Sequence, residues 1–384
     1  MSGFTFETTP WVVCEDGAAA RLGRYASDMG LSRAMVVTDP GFRATGLLEP
    51  AVESLCEAGV EPIIFSDVEA DPPEASIEAA VSLARAQRVD GVIGFGGGSS
   101  MDTAKLVALL AGSGQAVADV YGIDVANGPR LPLIQVPTTA GTGSEVTPIA
   151  IVTTPSDEKK GVISRLLYPD LALLDATLTM GLPPAVTAAT GVDAMVHAIE
   201  AYTTRHKKNP VSDALALKAL ALLSGAIRRA VKDGADLKAR RDMLQGAMLA
   251  GMAFANAPVG AVHALAYPLG GRFHVPHGLS NALVLLPVLE FNLPAAEGLY
   301  AELYEAVAPA GAKPSANAAA RAFFEAMQAI VDDMPMARRL RDVGVEEADL
   351  DMLADDAMNV QRLLVNNPRE VTRADALAIY RKVL

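Results

Sequence analysis

The chain has 384 residues, of which 51% are apolar and 20% are charged, which is ordinary for a soluble globular enzyme with room for two domains. Its formal net charge of −13 disfavours nucleic acids and anionic membranes as partners. Backbone amides can still bind a phosphate-bearing cofactor locally, so the charge does not exclude a nucleotide.

The N-terminal residues lack the basic and apolar segments of a signal peptide. The only two cysteines, Cys14 and Cys56, offer neither a disulfide framework nor a cysteine-based metal motif. The most apolar stretches are interrupted by Lys218 and Glu290, so no membrane-spanning segment is predicted. We therefore expect a cytoplasmic protein.

The first 180 residues alternate short apolar runs with helical patterns. The runs are rich in Val, Ile and Leu, as buried parallel strands are. This alternation predicts an α/β domain with a mostly parallel sheet. Strands are predicted at 34–38, 62–65, 91–95, 133–136, 149–153 and 171–174, and helices near 17–29, 47–58, 74–87 and 100–111.

The composition changes after Gly181, where Leu182-Pro183-Pro184 suits a boundary followed by the first turn of a helix. From there to the C-terminus one helical pattern follows another, with few β-branched runs. We predict an α/β domain over residues 1–181 and an all-α domain over residues 182–384.

Residues 92–105 have the pattern of a strand, a glycine turn and a helix. Gly96, Gly97 and Gly98 allow close backbone approach, and the N-terminus of the helix offers free N–H groups to a diphosphate. The spacing departs from the common dinucleotide fingerprint, because Ser99 and Met101 stand where a third glycine is expected. The alternative is a glycine-rich turn without a ligand.

Two further loops follow predicted strands. Asp39 stands at the end of the first strand, where a carboxylate can accept hydrogen bonds from ribose hydroxyls and favour NAD over NADP. Taken alone, an aspartate before Pro40 is more typical of a turn. Residues 137–147 are rich in Thr, Ser and Gly, which suits either a ligand loop or a polar surface turn.

Asp193 and His197 are four residues apart in a helical pattern, so their side chains share one face. Carboxylate and neutral imidazole are common ligands of Fe²⁺ and Zn²⁺. The pair therefore suggests a metal site. With Glu200, the alternative is an ordinary network on a helix surface.

Three of the five histidines lie in one later stretch. His263 is predicted on a helix that ends near Pro268, and His277 follows what reads as a Gly-Gly turn. His274 and His277 compete for one ligand role on spacing alone. His206, among basic residues, is predicted to be a surface histidine.

Taken together, these motifs resemble the iron-containing (group III) alcohol dehydrogenase family over essentially the whole chain. The resemblance implies an N-terminal dinucleotide-binding domain and an all-α C-terminal domain of the dehydroquinate synthase-like type, with the active site in the cleft between them. It rests on the segments 96–105, 137–147, 189–202, 263–271, 276–278 and 367–369.

The resemblance also implies roles for individual residues. The metal, Fe²⁺ or alternatively Zn²⁺, would be held by Asp193, His197, His263 and His277. Phe254 would lie beside the nicotinamide of NAD(H). The remaining cofactor contacts would come from Asp39, Gly96, Gly97, Gly98, Ser99, Asp102, Thr138, Thr139, Thr142, Ser144 and Lys160.

The implied function is a metal-dependent, NAD(H)-linked alcohol dehydrogenase or aldehyde reductase acting on a small alcohol or aldehyde, as a homodimer or larger homo-oligomer. Tyr267 departs from many members, which carry a second histidine there. It can join a proton relay or line the pocket, although a tyrosine hydroxyl is a poor base at neutral pH. The same position leaves a hydroxyacid–oxoacid transhydrogenase open as an alternative.

Other functions use the same residues. A hydroxyacid or polyol dehydrogenase would share the scaffold, and a metal-dependent hydrolase or lyase would share the ligands but leave the glycine loop unexplained. A protein that binds NAD or metal without turnover is a further alternative. The apolar segment 363–365 favours a small alcohol or aldehyde as substrate, whereas Arg272 would suit an acidic one.

Overall fold

The computed structural model describes residues 3–156, 158–308 and 315–384. The chain divides into an α/β unit, Thr8–Met180, and a helical unit, Gly181–Leu384, which also includes the N-terminal segment up to Glu7. That segment is attached by reciprocal hydrogen bonds of 2.8 Å between the Glu7 backbone and the Asn256 side chain.

Two sheets form the framework of the α/β unit. The larger has six parallel strands and the smaller has three. The strands of the described chain are β1 (Trp11–Cys14), β2 (Arg33–Val37), β3 (Glu61–Phe65), β4 (Gly91–Gly96), β5 (Gly122–Ile123), β6 (Leu133–Pro137), β7 (Ile149–Thr153), β8 (Lys159–Ile163) and β9 (Leu171–Leu174).

The larger sheet has the strand order β1-β9-β6-β4-β2-β3. The direction in which successive strands are added to the sheet therefore reverses between β2 and β4. From β2 the chain passes to β3 at one edge and then returns to β4 on the other side of β2. Ligands of open parallel sheets bind where the carboxyl ends of two such strands diverge. The residues after β2 and β4, which include Asp39 and the glycine loop, stand at this point.

The mostly parallel sheet and the helical C-terminal region confirm the predicted fold class. All six predicted strands form, but β7 pairs antiparallel with β8 in the smaller sheet, so its assignment to the parallel sheet was wrong. Strands β1, β5 and β8 were not predicted from the sequence. These strands are short or carry exposed residues such as Trp11 and Lys160, and so lack the continuous apolar pattern of a buried strand.

Helices of the α/β unit cover the parallel sheet. The longest, which follows the glycine loop, is almost entirely buried along its first three turns. The α-helices are α1 (Leu22–Asp28), α2 (Pro40–Arg43), α3 (Glu49–Glu57), α4 (Glu74–Gln87) and α5 (Gly98–Ser113).

The helical unit is built around one buried helix that begins at Pro184, where the predicted boundary prolines stand. The helices of its described residues are α6 (Pro184–Thr203), α7 (Pro210–Lys232), α8 (Leu237–Asn256), α9 (Ala261–Phe273), α10 (His277–Val307), α11 (Ala316–Asp332), α12 (Leu350–Met358), α13 (Gln361–Leu364) and α14 (Arg373–Lys382).

Two of these helices, α7 and α10, are long and apolar enough to cross a membrane when length and composition alone are considered, and α8 with α9 would qualify as a bent pair. Both α7 and α10 contribute side chains to the core of the helical unit. Leu220 and Leu223 of α7 and Leu285 of α10 are fully buried.

Candidate metal centre and nucleotide loops

Helix α6 carries Asp193 and His197 one turn apart. Their relative exposures are only 2% and 4%, because α6 is surrounded by other helices of the unit. A network on a helix surface, the alternative drawn from the sequence, is therefore wrong. A buried carboxylate beside a buried imidazole requires partners that offset the loss of water.

Helices α9 and α10 supply two more histidines. The prediction that the helix of His263 ends near Pro268 was wrong, since α9 runs on to Phe273 and includes the two glycines expected in a turn. The turn is made instead by the exposed residue His274, whose backbone adopts the left-handed conformation with a φ of 53°. His277 then begins α10.

Gly278 lets the first turn of α10 approach the backbone of α6. A Cβ atom at this position would lie 2.6 Å from the carbonyl oxygen of Ala189, closer than real Cβ atoms come to a backbone oxygen. The glycine after His277 is thus required by the contact that brings His277 to the face of α6 carrying Asp193.

The four predicted ligand residues converge. One donor atom from each of Asp193, His197, His263 and His277 lies within 4.8 Å of the others. Asp193 Oδ1 is 3.6 Å from Nε2 of His277 and 3.9 Å from Nε2 of His263. Atoms about 2 Å from a common tetrahedral centre are about 3.3 Å apart, so the four residues can hold a divalent metal ion when the separations, now up to 4.8 Å, contract toward that value.

Glu200 fixes the orientation of His263. Nδ1–H of His263 donates to Oε2 of Glu200 at 2.6 Å, and the backbone N–H of Val262 donates to Oε1 at 2.7 Å. This tautomer leaves Nε2 as a lone-pair donor toward the cluster. Carboxylates commonly orient metal-binding histidines in this way. The sequence signal was present, because Glu200 is one turn beyond His197 on the same face.

Asn281, one turn after His277, is the second site residue that the sequence analysis missed. It is fully buried, and its Nδ2 lies 2.6 Å from Asp193 Oδ1 and 3.2 Å from Nε2 of both His263 and His277. One NH₂ group has two hydrogens for these three acceptors. The carboxylate oxygen and the two imidazole nitrogens thus have more lone pairs than the Asn281 hydrogens can satisfy, as expected at a cation site.

The electrostatics of the cluster favour an ionised carboxylate. Burial by itself would raise the pKa of Asp193, but the three nearby imidazoles and the Asn281 amide hold that pKa below its ordinary value. Asp193 therefore provides a negative charge opposite three nitrogen donors, which is the chemistry that a divalent metal requires.

Aromatic side chains border the cluster. The ring of Phe254 stacks on His197 with centroids 4.3 Å apart, and His197 in turn stacks on His263 at 4.8 Å. Tyr267 lies beside His277, with ring centroids 6.2 Å apart. His206 is exposed and stands outside the four-residue group, in agreement with its predicted surface position.

In the α/β unit, the glycine loop leads directly into the N-terminus of α5. A Cβ at Gly96 would lie 2.6 Å from Ser100 Oγ, and one at Gly98 would lie 2.8 Å from Thr142 Cγ2. Only glycine fits these two positions without displacement. The free N–H groups and positive dipole of a helix N-terminus form an anion site, so the loop suits a diphosphate.

The loops after β2 and β6 border the glycine loop. Asp39 Oδ1 accepts a hydrogen bond from the Phe42 backbone N–H at 2.8 Å and caps α2, as its turn-forming alternative predicts. Its Oδ2 lies 3.4 Å from the position of a Cβ at Gly96. The Thr138 N–H donates to the Gly96 carbonyl at 3.0 Å, and Thr139 lies near Gly97.

Other predicted cofactor residues have contacts within the unit. The Asp71 N–H donates to Ser99 Oγ at 3.2 Å. Lys160 is exposed on β8, 3.7 Å from the Glu158 carboxylate and with its ammonium 5.7 Å from the centroid of the Tyr121 ring. Neither partner of Lys160 belongs to the glycine loop.

Asp102 and Ser144 belong to a buried network around Lys105. The Lys105 ammonium donates to Ser144 Oγ at 2.8 Å, to Thr147 Oγ1 at 3.2 Å and to the Ile149 carbonyl at 2.7 Å. Ser144 Oγ–H donates to Asp102 Oδ1 at 2.6 Å. We call these residues the Lys105 network. It ties the loop after β6 to the first turns of α5.

Burial shifts the titration of the charged groups in this region. It lowers the pKa of Lys105 to about 8, against the opposing effect of Asp102. It raises the pKa of the neighbouring Glu145 to about 7, and it raises that of Asp102 despite the nearby ammonium and hydroxyl.

Comparison with known proteins identifies the fold and the family. Residues 9–176 match the model of iron-containing alcohol dehydrogenase, and residues 187–384 match the C-terminal model of the Fe-containing alcohol dehydrogenase family. Long-chain-alcohol dehydrogenase 1 of Geobacillus thermodenitrificans (strain NG80-2) is 40% identical over 368 residues, which are 95% of this chain and 92% of the relative.

Solved structures agree over the whole chain. A 1,3-propanediol oxidoreductase superimposes with a TM-score of 0.95 at 34% identity, covering 100% of both chains. Sulfoacetaldehyde reductase from Bifidobacterium kashiwanohense, solved in complex with NAD⁺, has a TM-score of 0.90 at 27% identity and covers 100% of this chain and 99% of its own. The chain belongs to the iron-containing alcohol dehydrogenase family, as the resemblance in its sequence motifs indicated.

Proposed function

We propose that this protein is a metal-dependent, NAD(H)-linked alcohol dehydrogenase that interconverts a small alcohol and its aldehyde. One observation supports this most directly. A buried carboxylate and three imidazoles converge within 4.8 Å, with the tautomer of His263 set by Glu200, in a member of this oxidoreductase family.

The metal ligands are Asp193, His197, His263 and His277. When bound, the divalent metal would polarise the oxygen of the substrate, and NAD(H) would carry the hydride. Three of the four ligands are almost completely buried, which keeps water away from the reacting groups. Iron is the expected ion from the family, and zinc would suit the same nitrogen and oxygen donors.

The nucleotide is proposed to bind along the glycine loop. The N-terminus of α5, with Gly96, Gly97, Gly98 and Ser99, would hold the diphosphate through its backbone N–H groups. The nearby carboxylate of Asp39 would accept hydrogen bonds from a ribose and disfavour the additional phosphate of NADP. Further contacts are assigned to Asp102, Thr138, Thr139, Thr142, Ser144 and Lys160.

Residues at the rim of the metal cluster would orient the substrate and the nicotinamide. Phe254 stacks on His197 and offers an aromatic face beside the ligands. Tyr267 stands next to His277, where its hydroxyl can hold or pass a proton at the substrate oxygen. In the reverse direction the same groups would serve aldehyde reduction.

The test is metal analysis of the purified protein together with NADH oxidation across a panel of aldehydes and oxoacids. We expect Asp193→Ala and His263→Ala to lose bound metal and to lower turnover by about three orders of magnitude. His206→Ala, which changes an exposed histidine outside the cluster, is the matched control. Full activity after chelation and ligand substitution would exclude the metal role. Turnover that requires an oxoacid in place of free NAD⁺ would indicate a transhydrogenase.

We also propose that the enzyme is a soluble cytoplasmic homodimer or larger homo-oligomer, with no nucleic acid or membrane partner. Both cysteines are exposed, and neither forms a disulfide in the described part of the chain, which suits a reducing compartment. The edge strand β1 exposes Trp11, which supports association of subunits. Size-exclusion chromatography with light scattering measures the oligomeric state.

A further inference from the structure

The four predicted metal ligands differ in exposure, and we call the neighbourhood of the most exposed one, His277, the open side of the cluster. Asp193, His197 and His263 are each at most 4% exposed, whereas the His277 side chain is 38% exposed. His277 is therefore the ligand most accessible to a substrate oxygen. The side chains around His277 are the ones that can select the substrate.

Tyr267 and Arg362 extend from this open side. The Tyr267 ring lies 6.2 Å from that of His277, and Arg362 Nη2–H donates to the Tyr267 hydroxyl at 3.4 Å. The guanidinium carbon of Arg362 lies 5.7 Å from the centroid of the Tyr267 ring. Tyr267 is therefore a shared neighbour of the Arg362 guanidinium and of the exposed ligand His277.

The charge of Arg362 is not neutralised by the described part of the protein. Its guanidinium forms no ion pair there, and its one hydrogen-bond partner is the Tyr267 hydroxyl. Arg272, the residue that the sequence offered for an acidic substrate, differs in this respect. It pairs with Asp356 at 2.8 Å and 3.3 Å, so its charge is already matched by a carboxylate.

The backbone that presents Arg362 is held in place. The buried Asn366 side chain donates to the Arg362 carbonyl at 3.0 Å and to the Val259 carbonyl at 2.9 Å. The next two residues, Leu363 and Leu364, are buried at 4% and 5% exposure. Arg362 is therefore a charged side chain on an anchored segment. Such a segment can position a guanidinium for recognition.

We propose that Arg362 recognises an anionic group on the substrate, so that this enzyme prefers short aldehydes that carry a carboxylate or a sulfonate. The planar guanidinium can donate two parallel hydrogen bonds to such a group, while its contact with the Tyr267 hydroxyl holds it beside the open side of the cluster. This inference rests on the proposed function and names the substrate class of the same site.

The reaction itself is balanced without a further reagent. The carbonyl π bond of the aldehyde breaks, its carbon gains a hydride from NADH, and its oxygen gains a proton from solvent. The products are the alcohol and NAD⁺, and the anionic group is unchanged. The role of Arg362 is to bind, so its effect is expected mainly in KM.

The test compares aldehydes of equal carbon number with and without an anion. We expect the wild-type protein to have a higher kcat/KM for 4-oxobutanoate than for butanal. Arg362→Gln should lower kcat/KM for 4-oxobutanoate by about 10- to 100-fold, as expected for the loss of a charge-assisted hydrogen bond, and change the value for butanal less than about threefold. Arg362→Lys should retain part of the preference, because lysine keeps the positive charge but lacks the two parallel N–H donors of the guanidinium. Arg381→Gln, at an exposed arginine of α14, is the control.

In a second pair, propanal carries a methyl group in place of the sulfonate of 2-oxoethanesulfonate, which tests whether a sulfonate is recognised as a carboxylate is. A wild-type preference for the neutral aldehydes, or an equal loss on both members of a pair in Arg362→Gln, would overturn the inference. Turnover of butanal in that case would leave the proposed dehydrogenase intact. Absence of NADH oxidation with every aldehyde would instead contradict the proposed function.

Equilibrium binding gives a readout independent of turnover. Titration of the protein with propane-1-sulfonate should show saturable binding that Arg362→Gln weakens about tenfold or more and Arg381→Gln leaves unchanged. Binding that is equal in wild type and Arg362→Gln, or absent in both, would contradict recognition of the anion by Arg362.

Discussion

Each unit of the molecule buries a group of polar side chains, and the two groups differ in the origin of their positive charge. In the α/β unit the Lys105 ammonium is surrounded by oxygen atoms of Ser144, Thr147 and Ile149, with the Asp102 carboxylate 3.7 Å away. In the helical unit the donor atoms of one carboxylate and three imidazoles face each other, and no lysine or arginine of the described residues pairs with Asp193.

Whether a buried polar cluster contains its own cation indicates whether its role is structural or metal binding. A network that contains its own cation is complete and stabilises the position of two loops. A cluster of acceptors without one is complete only when a cation from outside joins it. The burial of the two groups is similar, so burial alone would not distinguish them. The following experiments change one group at a time.

The largest effect is expected from Lys105→Met. This change removes the donor shared by three oxygen acceptors and leaves the Asp102 carboxylate beside an apolar side chain. We expect the free energy of unfolding to fall by about 2–4 kcal/mol, whether or not divalent metal is present. Thermal unfolding measured with and without metal tests this, with Lys160→Met as the control for loss of an exposed lysine. An unchanged melting temperature would show that the network does not stabilise the unit.

A smaller and more selective effect is expected from Glu200→Gln. The amide has one oxygen for two donors, the Val262 N–H and His263 Nδ1–H, so one of them must face the NH₂ group. When that donor is His263, its proton moves to Nε2, the atom that faces the cluster. We expect metal affinity to fall about 10- to 100-fold, with little change in the melting temperature of the metal-free protein. Competition with a chromophoric chelator measures the affinity.

The exposed Glu290 of α10, which pairs with Lys382, provides the matched control as Glu290→Gln. Unaltered metal affinity in Glu200→Gln would contradict the role assigned to Glu200. A loss of apo-protein stability as large as that of Lys105→Met would remove the contrast between the two groups.

The smallest effect concerns pH. Because burial raises the pKa of Glu145 from 4.5 to about 7, the folded protein binds this proton more tightly than the unfolded chain does. The contribution of Glu145 to stability is therefore greatest below about pH 4.5 and is lost as the pH rises to about 7. Glu145→Gln should raise the melting temperature, relative to wild type, by a few degrees more at pH 7.5 than at pH 5. A difference that does not change with pH would contradict this origin.

The sequence predicted the strands with continuous apolar runs well, because such runs require burial on both faces. It failed at β8, whose lysines indicate a polar loop, and at Pro268, which lies inside α9 although proline usually ends a helix. Tertiary packing overrides both local signals. Neither failure affected the identification of the site.

The four converging residues were expected from the resemblance, and spacing alone left His274 and His277 open. The structure distinguishes them by backbone conformation, since His274 forms the left-handed turn that allows His277 to begin α10. Asn281 escaped prediction because its importance depends on which atoms of separate helices meet, whereas Glu200 was considered only as part of a network on a helix surface. Arg362 escaped because its contact with Tyr267 joins segments 95 residues apart.

Because the four ligands are unequally exposed, the rate at which metal exchanges can be slow even if the equilibrium affinity for metal is modest. An ion held by these residues would be enclosed by three buried side chains and would meet solvent only at His277. Dissociation would begin with release of that one imidazole, while the other three ligands retained the ion long enough for His277 to return. Slow exchange would then follow from the arrangement of the ligands even where the equilibrium affinity is modest, and the first residue of α10 would set its rate.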